Sequence, residues 1–267
     1  MYLMKIDLKT IKDPFTVEKI RQHLAERENY SNLKKMYSAK LPAVKNINTA
    51  KFWDSKINLE KAIHKKSPIV KDRINVVFQF IKSTKIRKGR LLDIGVGYGL
   101  IEKKLSKYKK EISLTGIDIS KKAITAAKSK FKGNFKIGSA NNLEFPDEKF
   151  DTVIALEILE HIPPKDTFKV FSEVKKVLRQ DGYFIISVPM NEGLEELVKS
   201  GKNLNAHLRI YTKDLLKAEL HLSGFKIIKD KELFAFSNKY RLKTILSRTV
   251  LPKRWRPNIV IILAQKP

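Results

Sequence analysis

The chain has 267 residues, of which 42% are hydrophobic and 31% charged, a composition typical of a folded globular protein. It contains no cysteine, which excludes disulfides, thiolate metal sites and cysteine nucleophiles. Its 55 lysines and arginines outnumber 28 acidic residues, so the net charge of +27 favours phosphate backbones or anionic lipid headgroups as partners, unless it only reflects a lysine-rich composition.

Neither end of the sequence shows the pattern of a secretory or membrane-spanning segment. Residues 1–10 alternate apolar and charged side chains, unlike the apolar core of a signal peptide. The apolar run over residues 259–264 is far too short to cross a bilayer. We therefore expect a cytoplasmic protein, at most peripheral to a membrane.

The first part of the chain shows helical patterns and few strand signals. Up to residue 90 it carries 22 Lys and Arg against 8 Asp and Glu. Residues 15–37 are charged and periodic, and Pro68 occupies a favourable first position for a later helix. We predict an N-terminal helical lobe or lid over residues 1–65 and a main domain over residues 66–267.

From residue 90 onward, short apolar runs alternate with amphipathic stretches. The runs predict strands at 90–94, 112–118, 135–138, 150–155, 182–188, 225–229 and 258–265. The stretches between them predict helices at 98–108, 121–131, 166–178 and 212–222, with Ser120 and Thr212 as N-caps and Gly224 as a stop. This alternation predicts an α/β fold with a seven-stranded, mostly parallel sheet and helices on both faces.

A glycine-rich turn follows the first predicted strand. Gly95, Gly97 and Gly99 let the backbone turn tightly and approach a ligand closely, and a helix N-terminus follows. Their spacing differs from the G-x-G-x-x-G of dinucleotide-binding folds, which disfavours a nicotinamide-dependent oxidoreductase. Asp118 ends the second strand, where a carboxylate can accept both hydroxyls of a ribose; alternatively, it only places a charge at a helix N-terminus.

These segments resemble the successive motifs of class I S-adenosylmethionine-dependent methyltransferases. The segments that carry the resemblance are 93–99, 116–120, 138–143, 150–151, 156–161 and 181–184. Together they cover roughly residues 65–230, and they look most like the ubiquinone-biosynthesis-type O-methyltransferases and their uncharacterised relatives. The resemblance implies a Rossmann-like fold and methyl transfer from S-adenosylmethionine. The intact glycines and acids argue against a non-catalytic module that keeps a degenerate cofactor fold.

The resemblance also assigns cofactor-binding roles. The implied residues are Asp93, Gly95, Gly97, Gly99, Asp118, Ile119, Ser139, Ala140, Asn141 and Leu156. Asp93 and the glycines would hold the amino-acid part of the cofactor and Asp118 the ribose, and residues 139–141 would lie beside the adenine. Many relatives have Asp where this chain has Ser139, so the adenine amino group would meet an uncharged acceptor here, or its recognition would shift to Asn141 or Asn142.

The segment after the fourth strand carries the candidate catalytic residues. Glu157, Glu160 and His161 are spaced i, i+3 and i+4, which places them on one face of a helical turn, and His207 follows the fifth strand. They resemble the metal site of small-RNA 2′-O-methyltransferases and of some quinone O-methyltransferases, which implies a divalent ion such as Mg²⁺. Two alternatives stay open: His161 acts as a general base without metal, with Glu157 and His207 beside it, or Glu160 and His161 only orient the loop.

Two further segments bear on the methyl acceptor. Residues 205–211, which include Tyr211, form either a wall of the acceptor pocket or a surface turn. A basic insertion at 233–257 precedes the last strand; within it, residues 237–257 carry seven Lys and Arg and no acid. The insertion suits an anionic membrane, RNA phosphates or simple packing on the domain. We predict O-methylation of a small-molecule or lipid-intermediate hydroxyl, with RNA methylation through the basic surface as the alternative.

Overall fold

The structure is a computed structural model that describes residues 46–57, 67–84, 89–106, 112–190, 206–209, 211–236, 238–249 and 255–267. The helix predicted over residues 15–37 lies outside these ranges, as does most of the predicted N-terminal lobe. Residues 50–57 are helical, in agreement with the helical pattern. The predicted boundary between lobe and main domain falls outside the described ranges and stays a prediction.

Seven strands form one sheet. They are β1 Gly89–Ile94, β2 Ile112–Asp118, β3 Asn134–Ile137, β4 Phe150–Leu156, β5 Leu178–Pro189, β6 Lys226–Leu233 and β7 Ile259–Gln265. Their order is β3-β2-β1-β4-β5-β7-β6. The pairs among β1 to β5 are parallel, and β7 runs antiparallel to both of its neighbours. The predicted mostly parallel sheet is confirmed.

In the described ranges, six α-helices follow the helical residues 50–57. They are α1 Pro68–Ser83, α2 Leu100–Leu105, α3 Lys121–Lys130, α4 Thr167–Val177, α5 Lys213–Leu222 and α6 Tyr240–Arg248. The predicted caps are confirmed: Ser120 Oγ accepts from the Ala123 amide and Thr212 Oγ1 from the Leu215 amide. Gly224 follows α5 with a φ of +77°.

The core lies on both faces of the sheet. Alternate residues of a strand point to opposite faces, so Leu92 joins one apolar cluster and Leu91 joins the other. Side chains of α4 and α5 complete the first cluster, and side chains of α1, α2 and α3 complete the second. The prediction of helices on both faces is therefore confirmed, and the sheet is a rigid platform for the loops at its edge.

Two strand boundaries differ from the predictions by four residues. β5 begins at Leu178, directly after α4, four residues before the predicted start. β6 continues to Leu233, beyond the predicted end at residue 229, so the predicted insertion at 233–257 begins on the last residue of that strand. The insertion contains α6.

Candidate active site

One cavity of about 700 Å³ opens at the carboxyl ends of β1, β2 and β4. Its volume falls in the range usual for small-molecule sites. The position is the one at which ligands bind in open α/β sheets, because the loops that leave parallel strands diverge there. The cavity therefore lies where the glycine-rich turn and Asp118 were expected to meet a ligand.

Asp118 and Gly97 are joined at the floor of this cavity. Oδ2 of Asp118 accepts from the Gly97 amide at 2.9 Å, and Oδ1 accepts from the Ser120 amide at 2.8 Å. Burial raises the pKa of Asp118, and the two backbone hydrogen bonds oppose that rise. Each carboxylate oxygen keeps a further lone pair, so the side chain suits a pair of ligand hydroxyls, as the ribose prediction requires.

The three glycines of the turn have different positions. All have positive φ, between +51° and +83°, which side-chain-bearing residues adopt only with strain. Gly95 and Gly97 border the cavity, and a Cβ at Gly95 would overlap the side chain of Ile158. Gly99 lies behind the turn, before α2 and against the ring of Phe131. Contrary to its expected role, Gly99 shapes the helix entry instead of facing the ligand.

The charge environment of Asp93 includes a residue that the sequence did not single out, Glu102 on α2. Both side chains are buried, at 3% and 1% exposure. Burial, and then the adjacent Glu102 carboxylate, raise the pKa of Asp93 well above its ordinary value; burial also raises the pKa of Glu102. Both carboxylate oxygens of Glu102 are buried and have no hydrogen-bond partner among the described residues. Asp93 thus borders the cavity beside a second buried acid, and burial together with the nearby negative charge favours its protonated form.

The residues to which the resemblance assigns the adenine lie together at the cavity. Ile119, Ser139, Ala140 and Asn141 all border the cavity, as the resemblance implies. The Asn141 side-chain oxygen is buried and has no hydrogen-bond partner among the described residues. Ser139 Oγ accepts from the Asn141 amide at 3.3 Å, within its own loop. The unsatisfied oxygen of Asn141 is therefore the acceptor best suited to an amino group in this wall.

The segment 46–57 covers one side of the cavity. Asp54 Oδ1 accepts from Ser120 Oγ at 2.6 Å and from the Lys122 amide at 3.1 Å, at the N-terminus of α3. The hydrogen bond from Ser120 lowers the pKa of Asp54. The ring of Trp53 packs edge-on against His161, with centroids 4.7 Å apart. This segment, part of the predicted lobe or lid, thus contacts both Ser120 and His161.

Glu157 departs from the predicted arrangement. It has a φ of +57°, and the short 3₁₀ turn that carries Glu160 and His161 begins only at Leu159. The prediction that a helical turn places Glu157 on one face with these residues is therefore wrong. Its Oε2 lies 2.9 Å from Nη1 of Arg73, and its Oε1 accepts from Ser187 Oγ at 2.7 Å.

Arg73 is the second functional candidate that sequence reasoning missed. It lies on α1, its exposure is 7%, and it borders the cavity together with Glu157 and Leu156. Its Nε has no hydrogen-bond partner among the described residues. The sequence did contain a signal for it, because Arg73 lies on the same buried face of the amphipathic helix as Val70 and Val77.

Glu160, His161 and His207 meet as predicted. One ligand atom from each lies within 4.8 Å of the others, and the two imidazole rings are 4.9 Å apart between centroids. All three border the cavity. Burial, and then the charge of His207, lower the pKa of His161 to about 3, so His161 is neutral near pH 7. The cluster offers two nitrogen donors and one carboxylate to a ligand.

The segment around Tyr211 is not the surface turn that one interpretation expected. Tyr211 is 1% exposed and packs under Arg209, whose Nη1 lies 2.7 Å from Oε1 of Glu219. Among the described residues of this segment, only His207 borders the cavity, and the Leu208 amide donates to the Glu160 carbonyl at 2.7 Å. The buried ion pair therefore anchors the segment that presents His207.

Known proteins are similar to this chain in sequence. A family model described as a methyltransferase domain matches residues 92–186. The ubiquinone biosynthesis O-methyltransferase of Pelagibacter ubique (strain HTCC1062) is 30% identical over 209 residues, which cover 72% of this chain and 78% of that protein. The chain belongs to the class I S-adenosylmethionine-dependent methyltransferases. The predicted family and enzyme class are confirmed, and the family implies S-adenosylmethionine as cofactor; the divalent metal stays a prediction.

Other relatives of this methyltransferase differ in acceptor. The phosphatidylethanolamine N-methyltransferase of Cereibacter sphaeroides is 35% identical over 107 residues, which cover 38% of this chain and 50% of that protein. The chain thus matches only about half the length of that relative. The YcgJ protein of Bacillus subtilis shares the fold, with a TM-score of 0.52, 22% identity, and coverage of 70% of this chain and 96% of that one. Both O- and N-methyltransferases are therefore similar to this chain.

Proposed function

We propose that this methyltransferase moves the methyl group of S-adenosylmethionine to a hydroxyl oxygen of a small molecule or lipid intermediate. The main observation in support of this proposal is that Glu160, His161 and His207 border the same cavity as Asp118 and Gly97. Methyl transfer is an in-line displacement, so the enzyme mainly aligns the two reactants and excludes water. A hydroxyl acceptor must also lose its proton, and the cluster is the group of side chains suited to that task.

The low pKa of His161 favours metal assistance over general-base catalysis as the way to remove the proton. A pKa of about 3 makes His161 a weak base near neutral pH. A neutral imidazole is a good metal ligand, however, and the buried Glu160 carboxylate adds a negative donor. When bound by these three residues, a divalent ion would lower the pKa of the acceptor hydroxyl. Because two of the donors are nitrogens, Mn²⁺, Co²⁺, Fe²⁺ or Zn²⁺ fits better than the Mg²⁺ expected from the sequence.

The other residues of the wall position the reactants. Asp118 and Asn141 suit the ribose and adenine of the cofactor, and Glu157 is fixed at the end of β4 by Arg73. Trp53 covers His161 and keeps water from that side of the cluster. Both the acceptor chemistry and the cytoplasmic location remain predictions.

A screen with labelled cofactor tests this proposal. Purified enzyme is incubated with fractionated cell extract, and the labelled product is sorted as lipid, small molecule, RNA or protein. We expect label in a lipid or small-molecule fraction as an ether that resists mild base. His207→Ala is expected to lower kcat by about a hundredfold or more, because general acid–base or metal assistance contributes that much. His221→Ala, on the exposed face of α5, is the matched control.

Chelation separates the two ways of removing the proton. We expect EDTA to abolish transfer and Mn²⁺ or Co²⁺ to restore it. Activity that survives chelation would support the alternative in which His161 acts as a general base without a metal ion. Label in RNA would instead support the alternative function, and an active His207→Ala enzyme would contradict the role of the cluster.

A further inference from the structure

Helix α6 exposes two of its large apolar side chains and buries two polar ones. Leu242 and Ile245 are 53% and 59% exposed, whereas Thr244 and Ser247 are 8% and 2% exposed. A surface helix normally turns its apolar stripe towards the core. Exposed large apolar side chains next to each other on one helix indicate a contact surface. The Thr244 hydroxyl oxygen, moreover, has no hydrogen-bond partner among the described residues.

Positive charge surrounds these two apolar residues. Lys239 and Arg241 are exposed at the beginning of α6, and the sequence from 237 to 257 contains seven Lys and Arg and no acid. An exposed apolar pair within a basic segment matches a membrane interface, where lysine and arginine contact anionic headgroups and the apolar side chains enter the acyl boundary.

The aromatic residues of the segment favour a membrane over RNA. Binding of single-stranded RNA uses exposed rings on which bases stack. Here, Phe236 and Trp255 pack edge to face with centroids 5.4 Å apart, and the Tyr240 hydroxyl donates to Oδ2 of Asp72 on α1 at 2.8 Å. These rings take part in internal contacts, whereas Leu242 and Ile245 point to solvent.

The segment is inserted at the wall of the active-site cavity. The chain leaves that wall at Ala235 and returns at Asn258, and both residues border the cavity. The Asn258 side-chain oxygen accepts from the Ala235 amide at 2.8 Å and ties the two ends together. On α1, Asp72 contacts α6 while the next residue, Arg73, borders the cavity. A surface that held α6 would therefore lie beside the cavity.

We propose that α6, with Leu242, Ile245, Lys239 and Arg241, docks this methyltransferase on an anionic membrane surface. Docking would bring the cavity next to a lipid-borne acceptor; this second step rests on the proposed function, whereas docking itself does not. No helix in the described ranges is long and apolar enough to cross a membrane.

Vesicle flotation with the full chain tests the docking. The probes are vesicles of phosphatidylcholine alone and of phosphatidylcholine with phosphatidylglycerol. We expect the chain to float with the anionic vesicles and Leu242→Ser/Ile245→Ser to bind them about tenfold more weakly. The matched control is Ile137→Ser, which removes a side chain of 57% exposure on β3, at the opposite edge of the sheet. Lys239→Gln/Arg241→Gln should weaken binding and its salt dependence, unlike Lys128→Gln/Lys130→Gln on exposed positions of α3.

Three results would overturn the docking proposal. They are a wild-type chain that stays out of anionic vesicles, equal losses in the α6 and β3 variants, and α6-dependent binding to single-stranded RNA without binding to vesicles. Calorimetry with S-adenosylmethionine on each variant, expected to be unchanged, shows that the fold is intact. Since flotation requires no acceptor, its outcome is independent of the labelling screen.

Discussion

Arg73 and Glu157 form an ion pair in the cavity wall, with Nη1 of Arg73 2.9 Å from Oε2 of Glu157. Their side chains are 9% and 22% exposed, and Ser187 Oγ donates to the other oxygen of Glu157. The pair links α1 to the end of β4, where the reactive end of the cofactor is expected. A charge this buried is tolerated only when a partner compensates it, so the pair fixes the position of α1 against the sheet.

Arg73→Met is expected to destabilise the fold by about 1–2 kcal/mol, because it leaves the partly buried Glu157 carboxylate without its cation. Urea unfolding followed by circular dichroism measures this loss. Lys71→Met, at an exposed position of the same helix, is the control and should change the free energy of unfolding by less than about 0.5 kcal/mol. If Arg73→Met/Glu157→Gln proves as unstable as the single variant, the ion pair is not the cause.

The carboxyl pair of Asp93 and Glu102 predicts a pH-dependent contribution to stability. Both pKa values are raised above their ordinary values of 3.8 and 4.5, so the folded state holds protons that the unfolded state releases. The contribution is full below pH 3.8 and is lost as the pH rises through the raised pKa of Asp93. Glu102→Gln removes one buried charge, so its stability relative to wild type should increase with pH.

Unfolding of wild type and Glu102→Gln at a series of pH values measures that difference. Glu144→Gln, an exposed acid, is the control for the general effect of removing a negative charge. A difference that is constant from acidic to alkaline pH would show that folding does not raise the pKa values of these two carboxyl groups.

His161 predicts the opposite trend in the acid range. Its pKa falls from 6.5 to about 3 on folding, so the unfolded state binds a proton that the folded state excludes. The stabilising contribution is present above pH 6.5 and decreases as the pH falls towards 3. Between pH 6.5 and 5, the loss should be about 2 kcal/mol.

His161→Asn should remove this part of the pH dependence, whereas His221→Asn, on the exposed face of α5, should keep it. Proton NMR of the imidazole resonances gives an independent measurement of the same pKa. Titration of His161 near pH 6.5 would contradict both the burial argument and the preference for metal assistance.

Local sequence patterns predicted most of the strands and the caps of two helices. The start and end of β2, the cap at Thr212 and the stop at Gly224 follow from apolar runs and capping side chains that act within a few residues. The reversed direction of β7 could not be predicted in this way, because an antiparallel pairing with β5 depends on how distant segments meet.

The part of the site that lies in loops at the ends of adjacent strands could be predicted from the sequence. Asp118 and Gly97 meet because adjacent parallel strands end at the same edge of the sheet. The partners of Asp93 and Glu157 lie on helices, and contacts of Glu102 and Arg73 with them depend on tertiary packing. Likewise, the i, i+3 spacing suggested a shared helical face and did not indicate that the backbone of Glu157 is left-handed.

The most direct test of the central claim is calorimetry of S-adenosylmethionine binding to wild type, Asp118→Ala and Asp147→Ala. Asp147 is an exposed acid away from the cavity and is the control for charge removal. If Asp118 binds the ribose hydroxyls, Asp118→Ala should weaken binding by about tenfold or more, equivalent to at least about 1.4 kcal/mol, while Asp147→Ala keeps the wild-type affinity. Equal affinities for all three proteins would contradict the assignment of this cavity as the cofactor site.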